Sequence, residues 1–482
     1  MSASRLSEAA AVAVARDVLA GEERVWIVGG AVRDALLGRE VLDVDLAVEP
    51  GTEERYARAV ARACGGAAFP LSEEFGTWRA VAPRNAWHLD VTRLRGETIE
   101  EDLGGRDFTI NAIAAPLAGP DGELVDPTGG RRDLEAGVVR AVSERSFADD
   151  PLRILRAARF ASTLGFEIEP GTIALGRAEA SRAGEPAGER QLAELRHLLA
   201  GRDPARGIEL LDALDALPAA LPEIALLRGV GQNPNHHLDV FGHTLEVLRQ
   251  AVAVQADLDR FAGEAADGAR ELLAEPLADE FTRAVAMRLG ALLHDVGKPA
   301  TRGEHSGYVT FIGHDRVGAR IAGELLRRLK ASRALTRYVQ GLVRHHLHLG
   351  FLVHERPLSR RAIYDYLARC GDVAPDVTLL TVADRLSARG SGAVAAPEMI
   401  EAHLKLVREV MPAALDWHRQ GPPDLPLRGD ELAAELGIEE GSELGRLIAE
   451  LRAAVYTGEA TSREDVVALG RDLLERAPED AE

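Results

Sequence analysis

Val25-Trp26-Ile27-Val28-Gly29-Gly30-Ala31-Val32-Arg33-Asp34-Ala35-Leu36-Leu37 and, shortly after it, Asp43-Val44-Asp45-Leu46-Ala47-Val48 carry two hydrophobic periods in close succession. Val25 to Val28 form a short apolar run closed by glycine, Val32 to Leu37 follow a helical period, and Val44 to Val48 are strand-like again. The pattern predicts strand, tight turn, helix, strand. Gly29-Gly30 falls where bare backbone N–H groups and the positive end of a helix can hold a phosphate. Asp43 and Asp45 stand two apart, so on a strand they share a face and can ligate one or two Mg²⁺ ions near that turn. Two acids on one face repel unless a cation joins them. A solvated strand edge is the plain alternative, and Asp90, in His88-Leu89-Asp90-Val91, is a candidate third carboxylate. Paired carboxylates beside a phosphate-cradling turn suit attack of a 3′-hydroxyl on the α-phosphate of a nucleoside triphosphate.

Working outward, strand-like pieces around Trp78–Ala82 and Trp87–Val91 precede a turn-rich Asp126-Pro127-Thr128-Gly129-Gly130, so an α/β unit is expected to close near residue 140. From Asp150 the period turns helical, with Leu152, Leu155, Ala158 and Phe160 in one register. Gly231–Pro234 reads as a linker into a histidine-rich region, and the chain after about Gly390 turns acidic, ending in Pro478-Glu479-Asp480. The expected divisions are 1–140, 141–232, 233–390 and 391–482, in keeping with a length of 482 residues. No apolar run approaches the roughly 20 residues of a membrane span. The Ala/Val stretch after Arg5 is cut by Asp17, Glu22 and Glu23 too soon for a signal peptide. Two cysteines, Cys64 and Cys370, cannot build a disulfide framework. A cytoplasmic protein with no membrane partner is expected. The net charge of −20 means that a nucleic acid would have to be met by a local basic surface.

The string from Gly29 to Arg39 with Asp43-Val44-Asp45 resembles the signature motif of the class II tRNA nucleotidyltransferases, the CCA-adding enzymes and their bacterial poly(A) polymerase relatives. Gly105-Arg106-Asp107-Phe108-Thr109-Ile110-Asn111-Ala112 resembles the family's sugar-selecting motif, and Asp126-Pro127 to Gly130 with Asp133-Leu134 its hinge. Asp149-Asp150-Pro151-Leu152-Arg153 is similar to its nucleotide-selecting motif, and Glu189-Arg190 to Glu194-Leu195 to the helix-stabilising one after it. The resemblance implies an α+β chain: a small polymerase-β-like nucleotidyltransferase head, then mainly α-helical neck, body and HD domains. It implies Asp43 and Asp45 as catalytic, Mg²⁺-binding residues. It further implies nucleotide contacts from Gly29, Gly30, Arg33, Arg106, Asp107, Asn111, Arg156 and Arg159, with Asp150 and Arg153 reading the Watson–Crick edge of C or A, whose donor–acceptor pattern U and G do not match. Three apart, Asp150 and Arg153 are expected to share a helix face. Asp149 stands where members often have Glu, and Gly105 where many have a basic residue, which bears on substrate affinity.

The second constellation is His243, His294-Asp295, His314, His345-His346 and Asp384, within a chain of 14 histidines. Imidazole and carboxylate together suit borderline divalent transition metals. Leu292-Leu293-His294-Asp295-Val296-Gly297-Lys298 resembles the doublet of the HD metal-dependent phosphohydrolases. That resemblance implies one metal site from His243, His294, Asp295 and Asp384, further ligands at His314 and at His345 or His346, and Lys298 as a phosphate contact. A decayed site is the alternative, and His236 and His237 read more simply as a helix cap.

Arginines collect at Arg140, Arg145, Arg153, Arg156 and Arg159, then at Arg177, Arg182, Arg190, Arg196, Arg202 and Arg206. A second basic run extends from Arg316 to Arg344. Either can track phosphates, and the 4% aromatic content suits recognition of a folded duplex such as the acceptor arm of tRNA. The leading expectation is a template-independent nucleotidyltransferase that builds or repairs the tRNA CCA end from CTP and ATP, with an HD phosphohydrolase appended. Alternatives are CC-only or A-only addition, poly(A) synthesis, an HD phosphohydrolase whose head merely binds nucleotide, and a noncatalytic RNA-binding factor.

Overall fold

The computed structural model describes residues 4–72, 76–355, 357–392 and 395–476. The acidic end at Pro478-Glu479-Asp480 lies outside them. The chain divides into two compact units, residues to Gly201 with Arg206–Ala220, and Arg202–Ala205 with residues from Leu221 onward.

The first unit is built on a six-stranded sheet: β1 (Val25–Val28), β2 (Asp43–Val48), β3 (Ala67–Ser72), β4 (Thr77–Val81), β5 (His88–Arg93) and β6 (Ala114–Pro116), in the order β3-β4-β5-β2-β1-β6. Only β2 and β5 run parallel. Alternation along β2 sends Val44, Leu46 and Val48 into the core with Val25 and Ile27. The opposite set, Asp43, Asp45 and Ala47, shares its face with Trp26 and Val28, because residues directly opposite in a ladder point the same way. That face is closed by Leu94, Ile99, Leu103, Ala112 and Ala114. The predicted strand–turn–helix–strand is present, with the helix at Gly30–Leu36. Beyond the sheet, helices Leu152–Leu164 and Gly188–Ala200 pack together. The mixed α/β head followed by helices matches the expected class.

The second unit is helical apart from short two-stranded ribbons. Helices Val240–Ala256, Arg283–Leu293, Arg333–His345 and Ala374–Ser387 pack on one another, and a separate apolar cluster around Leu432, Leu451 and Val466 holds the last three helices. Among the described residues no helix is long and apolar enough to cross a membrane. Both cysteines are free.

An ion pair fixes the helical core of this unit. Asp376, fully buried on Ala374–Ser387, pairs with Arg283 and accepts from the Tyr338 hydroxyl at 2.7 Å, while Arg283 also donates to the Asp372 carbonyl at 2.9 Å. Removing Asp376 takes away the buried counter-charge of Arg283 and leaves only the more exposed Asp372 and Glu275 at 3.6 and 3.8 Å, so Asp376→Ala is expected to lower stability by about 3 kcal/mol in urea unfolding. The double variant Arg283→Met/Asp376→Leu should recover most of that loss, because no charge is then left buried.

Candidate functional site

Gly29 follows β1 with φ 71 and ψ −132, a conformation open to glycine alone, and a Cβ there would meet Arg106 Nη1 at 3.0 Å and Asp45 Oδ2 at 3.4 Å. Backbone turn, guanidinium and carboxylate therefore converge on one point. Asp45 lies opposite Asp90 across the parallel β2–β5 ladder, and Asp43 opposite His88, whose Nδ1 is 3.5 Å from Asp43 Oδ1. Asp43 is open to solvent. Asp45 is reached by solvent but crowded by protein on its flanks, and this desolvation together with the charges of Asp90 and Asp43 pushes it up to about 6 against the pull of Arg106 and Arg79. The three carboxylates share a face, a donor set of oxygens that fits a hard divalent cation. Arg79, on β4 directly across from Asp90, grips it at 2.7 and 2.8 Å. No sequence spacing pointed to Arg79, since its role comes from strand register. Arg106 is held by the buried Asp102 at 2.9 and 3.0 Å, an i,i+4 pair that spacing alone could have revealed.

Arg33 does not reach outward. It pairs with Asp34 at 2.8 and 2.9 Å and donates to Asn111 Oδ1 at 2.8 Å, and Asn111 donates to Asp107 Oδ1 at 3.0 Å. Asp107 accepts two bonds from Arg156, at 2.6 and 2.8 Å, and Glu194 then takes Arg156 at 2.9 Å and Arg159 at 2.6 Å. Arg33, Arg156 and Arg159 all stack on Phe160, at 5.0, 5.2 and 4.0 Å from its centroid.

Asp150 does not lie on the helix with Arg153. Its backbone is extended (φ −147, ψ 100), as expected before Pro151, and the helix begins at Leu152. Asp150 instead accepts the Leu152 N–H at 3.2 Å and the Arg190 guanidinium at 2.7 Å. Arg153, in the first turn, donates to the carbonyls of Gly105 at 2.8 Å, Arg106 at 3.2 Å and Ser146 at 3.3 Å. Both still face one cavity of about 680 Å³, with Arg95, Arg106, Asp107 and Arg190 also in its wall.

Many arginines of the basic runs have internal partners. Arg140 pairs with Asp133, Arg145 with Asp149, Arg182 with Glu179 and Glu185, Arg206 with Glu167, Arg320 with Glu324, Arg328 with Glu223 and Arg344 with Asp315.

In the second unit, His243 Nε2 lies 3.1 Å from Asp384 Oδ1 and 3.7 Å from Asp295 Oδ2. His314 Nε2 is 3.4 Å from Asp295 Oδ1 and 3.3 Å from His346 Nε2. His294, His314 and His346 each set Nδ1 on a backbone carbonyl, of Ala291, Phe311 and Val343, at 2.7 to 2.8 Å. That contact fixes the tautomer and leaves Nε2 with its lone pair toward Asp295. His294 Nε2 is buried, 3.1 Å from Asp295 Oδ2, and makes no hydrogen bond. A buried ring nitrogen with no hydrogen-bond partner, among imidazoles and carboxylates, fits a divalent transition metal. Burial pushes Asp295 up, but His294 and Lys298, whose Nζ is 2.7 Å away, hold it well below the usual range.

The expectation for His345 needs correction. His346 is the buried member of the doublet in this cluster, while His345 sits with His348 and Cys370. Successive residues on a helix are turned by about 100°, so only one of two neighbours can face the same centre.

Residues 25–140 match the family described as Poly A polymerase head domain, residues 165–227 the probable RNA and SrmB-binding site of polymerase A, and residues 240–389 the HD domain. An A-adding tRNA nucleotidyltransferase of Deinococcus radiodurans is 38% identical, covering 94% of this chain and 96% of its own. A CC-adding tRNA nucleotidyltransferase of Thermus thermophilus is 35% identical, covering 91% of each. The chain belongs to the tRNA nucleotidyltransferases. Its fold resembles that of a CCA-adding enzyme in apo form, with a TM-score of 0.60 at 22% identity over 97% of this chain and 94% of the other. The nucleotidyltransferase head and the HD domain expected from the motifs are both present in it.

In this tRNA nucleotidyltransferase, burial pushes Asp107 up, yet Arg156, Asn111 and the Phe108 N–H outweigh it and hold the carboxyl well below its ordinary value. A depressed folded value means that the stabilisation is complete above the unfolded pKa of about 3.9 and disappears as pH falls through the folded one. Asp107→Asn is therefore expected to unfold about 3 kcal/mol more easily between pH 5 and 8. In urea titrations at stepped pH, the gap to wild type should close below about pH 4.

Proposed function

We propose that this tRNA nucleotidyltransferase adds the terminal C and A residues of the tRNA 3′ end from CTP and ATP, without a template, in the cytoplasm. The observation that carries the reading is the meeting of Asp45 and Arg106 at the Gly29 turn, with Asp43 on the same strand face, on the unit that also sets Asp150 and Arg153 on one cavity. Mg²⁺ held by Asp43 and Asp45 would activate the 3′-hydroxyl and neutralise the triphosphate. Gly29 and Gly30 leave room for the phosphates, and Arg106 stands beside them as a fixed positive charge. Arg33, Asp107, Asn111, Arg156 and Arg159 act as one braced unit that holds sugar and base in register. Asp150 would accept from the exocyclic amine of C or A while Arg153 donates to the ring acceptors, each exchanging a present partner for the base.

We read residues 1–140 as head, 141–232 as neck, 233–390 as HD domain and 391–482 as a helical tail. His243, His294, Asp295, His314, His346 and Asp384 are the proposed ligands of the HD metal, with Lys298 to steady a phosphoester for hydrolysis. A second reading, addition of only CC or only A, is favoured by relatives that match over nine tenths of the chain and bear those names.

Asp43→Ala should abolish incorporation, at least about 10³-fold, and leave phosphoester hydrolysis intact, while Asp295→Ala should do the reverse. Intact incorporation in Asp43→Ala overturns the assignment. Sequencing product ends from tRNAs stopping before C, after C and after CC, each given CTP, ATP or both, separates full from partial addition. For base choice, Arg153→Ala is expected to cut the preference for CTP and ATP over UTP and GTP by about 1–3 kcal/mol, read as kcat/KM ratios.

A further inference from the structure

Outside both sites, three metal-binding side chains from separate segments meet in the second unit. His345 ends the helix Arg333–His345, His348 opens the short helix His348–Phe351, and Cys370 ends the helix Arg360–Cys370. The Nδ1 atoms of His345 and His348 are 3.1 Å apart, and one donor atom from each of the three residues lies within 4.8 Å of the others. None of them belongs to the Asp295 cluster, which takes His346.

Around a tetrahedral zinc, two imidazole nitrogens stand about 3.3 Å apart, and a nitrogen and a thiolate sulfur about 3.6 Å. The nitrogen pair is near that spacing already, and the sulfur lies within 4.8 Å of a ring nitrogen of each histidine. We propose that His345, His348 and Cys370 form a zinc site separate from the HD cluster, with a water or small anion as fourth ligand from the neighbouring cavity. That cavity, of about 380 Å³, is lined by His348, Glu355, Asp365 and Arg369 among others. Binding transfers the Cys370 S–H proton to solvent and forms one Zn–S and two Zn–N bonds, with no change of oxidation state. Arg344 and Arg369 lie close enough to oppose a bare dication, and the thiolate, together with the nearby Asp315 carboxylate, removes part of that charge. A zinc here would tie the ends of three helical segments together, which a bond between two imidazoles does only for two.

Cobalt distinguishes this site from every oxygen and nitrogen site in the protein, because only a thiolate gives an intense near-ultraviolet sulfur-to-cobalt charge-transfer band. Burial pushes the Cys370 thiol up to about 12, so without metal it contributes no thiolate signal at neutral pH. The full chain, stripped of metal and titrated with Co²⁺, is expected to show the band in wild type, Cys64→Ser and Asp295→Ala. Zn²⁺ should then displace it. Cys370→Ser should lose the band, and His348→Gln, at a half-buried position, should weaken cobalt affinity at least tenfold with far-ultraviolet circular dichroism unchanged. Absence of the band in wild type, or its survival in Cys370→Ser, overturns the proposal.

Discussion

The Asp107 carboxylate is the point on which the first unit turns. It takes Arg156, Asn111 and the Phe108 N–H together, and through Asn111 and Arg156 it reaches Arg33 at the glycine turn on one side and Glu194 on the other. A chain of charge-assisted bonds that is satisfied at every member resists rotation of any one of them. The helix Gly30–Leu36, which follows the glycine turn, and the helix that begins at Leu152 are thereby linked by side chains as well as by backbone. Phe160 gives Arg33, Arg156 and Arg159 a common aromatic contact.

At the glycine turn the electrostatics are left incomplete. Three carboxylates on adjacent strands face two arginines, each already committed to an acid of its own, Arg79 to Asp90 and Arg106 to Asp102. Desolvation first, and then the charges of Asp90 and Asp43, push the Asp45 carboxyl up. A divalent cation relieves that repulsion more effectively than a further side chain, since it answers two carboxylates at once.

Much of this was legible along the chain where the deciding interactions are local. The two-residue spacing of Asp43 and Asp45 dictates a shared face on any strand, and the glycine at the end of an apolar run dictates the turn. Reading failed where a local rule was overridden or a distant partner decided. Pro151 holds Asp150 out of the helix, so its alignment with Arg153 arises in the cavity and not from helical phase. Helix-spaced arginines look alike from the sequence, yet Glu194 claims Arg156 and Arg159, and Asp150 claims Arg190, from 35 to 40 residues away. At the His345-His346 doublet the phase of a helix end chooses one ring for Asp295 and turns the other to Cys370.

The carboxylate face and the histidine cluster handle charge in opposite ways, and this makes their chemistries separable. On the sheet, oxygen donors repel one another on a face that Asp43 opens to solvent, which suits a cation that keeps water and exchanges with each nucleotide. In the helical unit His294, His314 and His346 are each held through Nδ1 by the backbone carbonyl three residues earlier, and Asp295 is buried against an ammonium. A site so fixed by local backbone contacts retains its shape whatever occupies it. Its candidate ligands all come from the second unit, whose core rests on the Arg283–Asp376 pair and not on the sheet. Removing a carboxylate from one centre therefore leaves the other with its own ligands, its own bracing and its own core.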